Sequence, residues 1–235
     1  MDTITTSVSG PLLRTEAATR QGPNHPVNQD SHFSDPASGL FTVADGMGGH
    51  RDGDLASQAT VQAVSQLVSL PATGLDNRLI ALESAISHVN KALYADYLSA
   101  PEQDVSGATS LSLIVEGTHA SCIWAGDSRL YLLRQQHLFL ISEDHADAAG
   151  RLTSAIGIGE NITFGRRTLE LMPGDVFILC TDGLLKGMDE TMLVNMAAEG
   201  TFGLADRLVA RSVAGGSSDD ITVITVWADT YGRTG

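Results

Sequence analysis

The chain has 235 residues, 43% hydrophobic and 18% charged, with 24 glycines. That balance excludes a disordered or fibrous protein, and the length suffices to bury roughly 70–75% of the unfolded surface. Lys and Arg number 14 against 28 Asp and Glu, a formal charge of −14, which argues against nucleic acid because such binding needs clustered cations.

In chain order, Asn28-Gln29-Asp30 precedes a short strand, and residues 40–44 predict another. Residues 55–68 predict a helix, since Leu55, Ala59, Ala63 and Leu67 recur every four positions; Pro71 and Gly74 then break the chain. Leu79, Leu82, Ile86, Val89, Leu93 and Tyr97 trace the apolar stripe of a longer helix, with Arg78, Glu83 and Lys91 off it. Strands are predicted over 110–115, 120–125, 130–134, 138–141, 163–171 and 176–181. A helix starts near Glu190, another carries Leu204, Leu208 and Val209, and residues 221–227 form the last strand. Several strands are nearly continuous in Val, Ile and Leu, as expected when both faces are covered. The order predicts α+β layering rather than alternating βαβ units. With no repeat and no Pro- or Ser-rich linker, a single domain over 1–235 is expected, its core spanning about 15–228.

Cys122 and Cys180 lie in apolar strand-like runs. They are too few for a disulfide framework; one bridge is open to them, and two buried reduced thiols are the simpler reading. Residues 1–20 are polar without the apolar core of a signal peptide, and no run approaches the ~18 apolar residues of a membrane span. A soluble, cytoplasmic chain without membrane insertion is expected.

The chemistry gathers where apolar strands end in aspartate beside glycine. Leu-Phe-Thr-Val-Ala runs into Asp45-Gly46-Met47-Gly48-Gly49-His50, Cys-Ile-Trp-Ala-Gly into Asp127-Ser128-Arg129, and Phe-Ile-Leu-Cys-Thr into Asp182-Gly183. Asp219-Asp220 opens Ile221-Thr222-Val223-Ile224. Any single Asp-Gly pair is an ordinary turn. A set of them at the edge of a buried core is costly unless something neutralises the charge. Oxygen ligands without a His or Cys cluster point to a hard cation, Mg²⁺ or Mn²⁺. Two ions ~3.5–4 Å apart bridged by one carboxylate would neutralise the set and activate a water, and Gly46 leaves room for a backbone carbonyl to approach.

These segments resemble the PP2C-type serine/threonine phosphatases, in the Met47 version of the bacterial branch. To them belong Ser106-Gly107-Ala108-Thr109, Ala125-Gly126-Asp127-Ser128-Arg129-Leu130-Tyr131, Leu152-Thr153-Ser154-Ala155-Ile156-Gly157 and Cys180-Thr181-Asp182-Gly183-Leu184. With Asp219-Asp220-Ile221-Thr222 they follow the family order from about residue 18 to 227. The resemblance implies a four-layer α-β-β-α sandwich of two antiparallel sheets flanked by helix pairs. It implies a metal-dependent phosphatase that hydrolyses phosphoserine and phosphothreonine in proteins with a metal-activated water. Two Mn²⁺ or Mg²⁺ ions are implied, with a weaker third. Asp45, Asp182 and Asp219 would ligate the first; Asp45 would bridge to the second, which takes the Gly46 carbonyl and, through water, Asp30. Asp127 with Asp182 would hold the third, and Asp220 would support the ligands. The implied partners are phosphorylated proteins and a cognate Ser/Thr kinase, with the chain acting as a monomer.

The chain also departs from the family pattern. The phosphate-docking Arg, five residues before the Asp that Asp30 matches, is His25 here; Arg20 and Arg51 are nearby substitutes. A His proposed as general acid in eukaryotic members is Met47, leaving His50 as the nearest proton donor. The family's long flap after Asp144-His145 shrinks to residues 146–150 before Arg151. An alternative reading follows from these departures: a catalytically weakened regulatory or phosphoprotein-binding module on the same fold. A small-molecule phosphatase with an open site is a further alternative.

Overall fold

The computed structural model describes residues 12–47, 52–69, 74–99 and 106–229. The predicted strands and helices form, with ends shifted by a few residues. In chain order the strands are β1 (Leu13–Arg20), β2 (Asp30–Asp35), β3 (Leu40–Met47), β4 (Gly107–Ala108), β5 (Ser110–Glu116) and β6 (His119–Ala125). They continue with β7 (Arg129–Arg134), β8 (His137–Leu140), β9 (Gly165–Glu170), β10 (Val176–Cys180) and β11 (Ile221–Ala228). The helices are α1 (Gly53–Ser65), α2 (Leu75–Ser99), α3 (Glu190–Ala198) and α4 (Leu204–Ala214).

One sheet runs β1-β11-β10-β7-β8 and the other β2-β3-β5-β6-β9, with β4 beside β3; every ladder is antiparallel. Alternate residues of a strand point to opposite faces, and this splits the apolar runs between separate cores. Phe41, Val43, Leu111, Leu113, Cys122, Trp124, Leu130, Phe177, Leu179 and Ile224 fill the space between the sheets. Tyr131, Ile178, Cys180, Ile221 and Val223 turn outward onto Leu193, Leu204 and Leu208 of α3 and α4. Leu40, Ile114 and Ile123 meet Val64, Leu79, Leu82 and Ile86 of α1 and α2. The result is the expected α-β-β-α sandwich. Both cysteines are buried and unpaired, as the simpler reading held. No helix among the described residues is long and apolar enough to cross a membrane.

Three details differ from expectation. The polar stretch Leu13–Arg20 is a strand, paired along its length with β11; it is a sheet edge whose single buried side chain is Ala18, so the backbone ladder rather than an apolar pattern holds it. The stripe of α1 is not Leu55, Ala59, Ala63 and Leu67. Its buried residues are Gly53, Ala56, Ser57, Thr60 and Val64, while Leu55 is 54% exposed. The helix lies too close to β2 and β3 for large side chains, and Ser57 hydroxyl-bonds Ser31 across the contact at 2.9 Å. Finally, the buried face of α2 includes Asn90, whose amide donates to the Gly159 and Glu160 carbonyls (3.0 and 3.2 Å) and accepts from the Gly157 N–H (2.7 Å).

Candidate metal centre

The inter-sheet core ends at one edge in carboxylates. On β3, Phe41 and Val43 point between the sheets, so Asp45 continues that face at the strand's end. Asp30 is its direct cross-strand partner on β2. From the opposite sheet, β10 runs out into a 3-10 turn, Asp182–Leu184, and Asp219-Asp220 leads into β11. A Cβ on Gly183 would strike the Asp220 carbonyl, so glycine there lets these two loops meet. Asp127 sits in the β6–β7 turn after Gly126, whose φ of +111° is the left-handed region that favours glycine.

The neighbouring motif residues hold these carboxylates in place. The Asp45 N–H donates to Thr109 Oγ1 (2.9 Å) and the Thr109 N–H donates to the Asp45 carbonyl (2.8 Å). Thr109 Oγ1 also meets Ser128 Oγ at 2.8 Å, tying Asp45 to the turn that carries Asp127. The Gly46 N–H donates to the Gln29 carbonyl at 3.1 Å, and a Cβ on Gly46 would run into the Gly53 carbonyl. Asp220 is buried and accepts from the Gly22 and Gln29 N–H groups, each at 2.7 Å, so it staples the loop before β2 to the site. Thr181 donates its hydroxyl to Asp30 Oδ2 at 2.8 Å.

The electrostatics are those of crowded acids. Burial, and then the charges of Asp30, Asp182, Asp127 and Asp219, push the Asp45 carboxyl well above its ordinary range. Asp30 is pushed up to about 7, chiefly by burial, with Asp220 and Asp182 adding to it against the Thr181 hydrogen bond. Asp127 rises to about 6 through burial and Asp182. Arg129 cannot relieve this, because its fork grips Asp144 at 2.9 and 2.7 Å.

Two basic side chains do reach the cluster. His25 Nδ1 is 3.0 Å from Asp220 Oδ2 and Nε2 is 3.7 Å from Asp219 Oδ1. The shorter contact is a charge pair without hydrogen-bond geometry, and the Asp220 carboxylate raises the imidazole pKa, with desolvation opposing. Lys186 Nζ is 2.6 Å from Asp182 Oδ2 and also contacts Asp219 Oδ2. Sequence reasoning missed Lys186, although its spacing of four from Asp182 was a visible signal. Arg20 ends β1 opposite Ile221, on the face turned toward α3 and α4, and is not brought into the cluster. His50 and Arg51 lie outside the described residues.

Among the described residues, no three His, Cys, Asp or Glu side chains converge on one cation-sized point. The donor set nevertheless fits divalent ions. Asp30 Oδ1 and Asp182 Oδ1 are buried with no hydrogen-bond partner, an expensive state for carboxylate oxygens, and carboxylate oxygens are the donors that hard divalent ions prefer.

Fold and site together define a two-sheet α-β-β-α scaffold with an acidic edge. A sequence profile of protein phosphatase 2C matches residues 21–211, and the chain belongs to that family. The resemblance read from its motifs is thereby borne out. Among relatives, the Mycobacterium tuberculosis serine/threonine protein phosphatase PstP is 29% identical over 232 residues, covering 91% of this chain but 44% of that protein. The Listeria monocytogenes serine/threonine phosphatase Stp is 30% identical over 217 residues, 81% of this chain and 84% of its own length. Among solved structures, PppA, a regulatory component of T6SS in Pseudomonas aeruginosa, superposes with TM-score 0.84 at 33% identity, covering 92% of this chain and 97% of that one. The catalytic domain of PstP in complex with two manganese ions gives 0.82 at 28% identity, covering 93% and 99%.

Proposed function

We propose that this chain is a metal-dependent phosphatase acting on phosphoserine and phosphothreonine in proteins. The observation that carries the reading is the partly buried acidic edge, where Asp30 and Asp182 each keep a buried, unpartnered oxygen and Asp45 stands in the field of its acidic neighbours. Asp45, Asp182 and Asp219 would hold a first ion. Asp45, the Gly46 carbonyl and, through water, Asp30 would hold a second, and Asp127 with Asp182 a weaker third. The two manganese ions in the PstP catalytic domain support Mn²⁺ or Mg²⁺ as occupants. When bound, such ions supply the Lewis acidity that lets water hydrolyse a phosphoric monoester.

The chain's own residues do the positioning. Thr109 fixes the Asp45 backbone from both sides, and Asp220 fixes the loop that bears His25. His25, whose charged form the Asp220 carboxylate favours, is the group best placed to meet the substrate's non-transferred oxygens. A cysteine-phosphatase route is closed: Cys122 and Cys180 are buried, and burial pushes the Cys180 thiol up to about 12 and Cys122 higher still. Where the family has its long flap, residues 146–152 close as a tight turn, the Asp147 N–H donating to the Arg151 carbonyl at 2.9 Å. A turn this short would leave the site accessible to a protein segment.

A second reading, a phosphoprotein-binding module without turnover, draws support from His25 in the Arg position and from Lys186 against Asp182 and Asp219. One assay separates the two. With Mn²⁺, the chain is expected to hydrolyse p-nitrophenyl phosphate and a phosphothreonine peptide, and chelator is expected to stop both. Peptide binding without hydrolysis would favour the module.

A further inference from the structure

Lys186 stands on the oxygens that a first ion would need. It leaves the 3-10 turn four residues after Asp182, and its ammonium pairs at once with Asp182 Oδ2 and Asp219 Oδ2. Burial works against its charge, but the two carboxylates outweigh that and hold the ammonium above its ordinary range. The same ammonium eases the crowding felt by Asp127. The side chain is 48% exposed, so the ammonium can swing into water without breaking the fold. A lysine ammonium and a divalent ion set against the same two oxygens would repel each other strongly.

We propose that Lys186 is a built-in competitor for the metal site. It occupies Asp182 and Asp219 in the metal-free protein, stabilises that form, and is displaced by the incoming ion, so it sets the affinity of the first position. The inference rests on the reading of Asp182 and Asp219 as ion ligands. Two partly exposed ion pairs must be broken on loading, and pairs of that kind together correspond to about a tenfold change in affinity.

Titration calorimetry with Mn²⁺ on the whole chain tests this, comparing wild type with Lys186→Met, Lys186→Gln and Lys186→Arg. The Met and Gln variants are expected to bind Mn²⁺ about tenfold tighter, while Arg keeps wild-type affinity. In chelator their Tm should fall below wild type; in saturating Mn²⁺ the difference should vanish. A lysine with only a packing role would lower both Tm values and leave the affinity alone, and that result would overturn the proposal. Wild-type protein offers an independent check, in which acetylation of Lys186 is measured by mass spectrometry against Lys91, the chain's other lysine. Mn²⁺ should speed modification of Lys186 and not of Lys91; an unchanged ratio contradicts displacement. If no form of the protein binds Mn²⁺, the ion reading itself fails and takes this inference with it. If wild type binds and the variants match it, the lysine inference alone fails.

Discussion

Asp45 carries both sides of the account. It is a half-buried carboxyl repelled by Asp30, Asp182, Asp127 and Asp219; with ions bound it would be their bridge. Asp45→Asn keeps the shape and removes the charge. In chelator it should raise stability by on the order of 1 kcal/mol, about 2–4 °C in Tm for a chain of this size. In Mn²⁺ it should lose more than nine-tenths of phosphatase activity. A variant less stable in chelator, or one that keeps its turnover, would contradict the bridging role. His25 makes a second case. His25→Ala should raise KM for a phosphothreonine peptide several-fold with a smaller change in kcat, and His25→Arg should restore KM, because the contact is to oxygens that do not leave. Equal KM values in all three proteins would leave His25 as a loop staple to Asp220. At this scale the aspartates were legible, because an apolar strand ending in Asp-Gly is visible in sequence. The pairing of Lys186 with Asp219 was not. It depends on Gly183 fitting beneath the Asp220 carbonyl, a contact between segments that sequence spacing does not bring together.

Among elements, α1 shows where periodicity misleads. The leucines at 55 and 67 suggested an apolar stripe, yet the buried face is Gly53, Ala56, Ser57, Thr60 and Val64. Close approach to β2 and β3 selects small side chains, and a pattern weighted toward leucine cannot see that. Leu55→Ser should therefore shift stability by no more than about 0.5 kcal/mol. Gly46→Ala, which drives a methyl into the Gly53 carbonyl between β3 and α1, should cost several times that and weaken Mn²⁺ binding as well. Chemical denaturation of the two variants side by side checks the register; a costly Leu55→Ser would overturn it. The long stripe of α2 was read correctly at Leu79, Leu82 and Ile86. Asn90 on the same face was not anticipated, because its value lies in the loop it binds. Asn90→Ala strands the Gly157 N–H inside the protein and should cost about 1–3 kcal/mol, again measured by denaturation.

For the whole molecule, the layers follow from alternation. Strands with both faces apolar need a sheet on one side and helices on the other; the sequence order indicated only α+β layering, and the four-layer sandwich came from the family resemblance. The edge strand β1 escaped because its pairing with β11 is held by backbone hydrogen bonds. The site draws Asp30 and Asp45 from one sheet, and Asp182 and Asp219 from the ends of β10 and β11 in the other, so it exists only once both sheets are packed. Ions that bind there should stabilise the entire fold. At a hundredfold excess over Kd the gain is about 2.7 kcal/mol, or roughly 5–10 °C in Tm. The most direct test is anomalous diffraction at the manganese edge from crystals of the chain soaked in Mn²⁺. The account predicts two strong peaks sharing Asp45, one against Asp182 and Asp219 with Lys186 swung away, the other beside the Gly46 carbonyl. No peak among these carboxylates, with Lys186 still resting on Asp182 and Asp219, would contradict it.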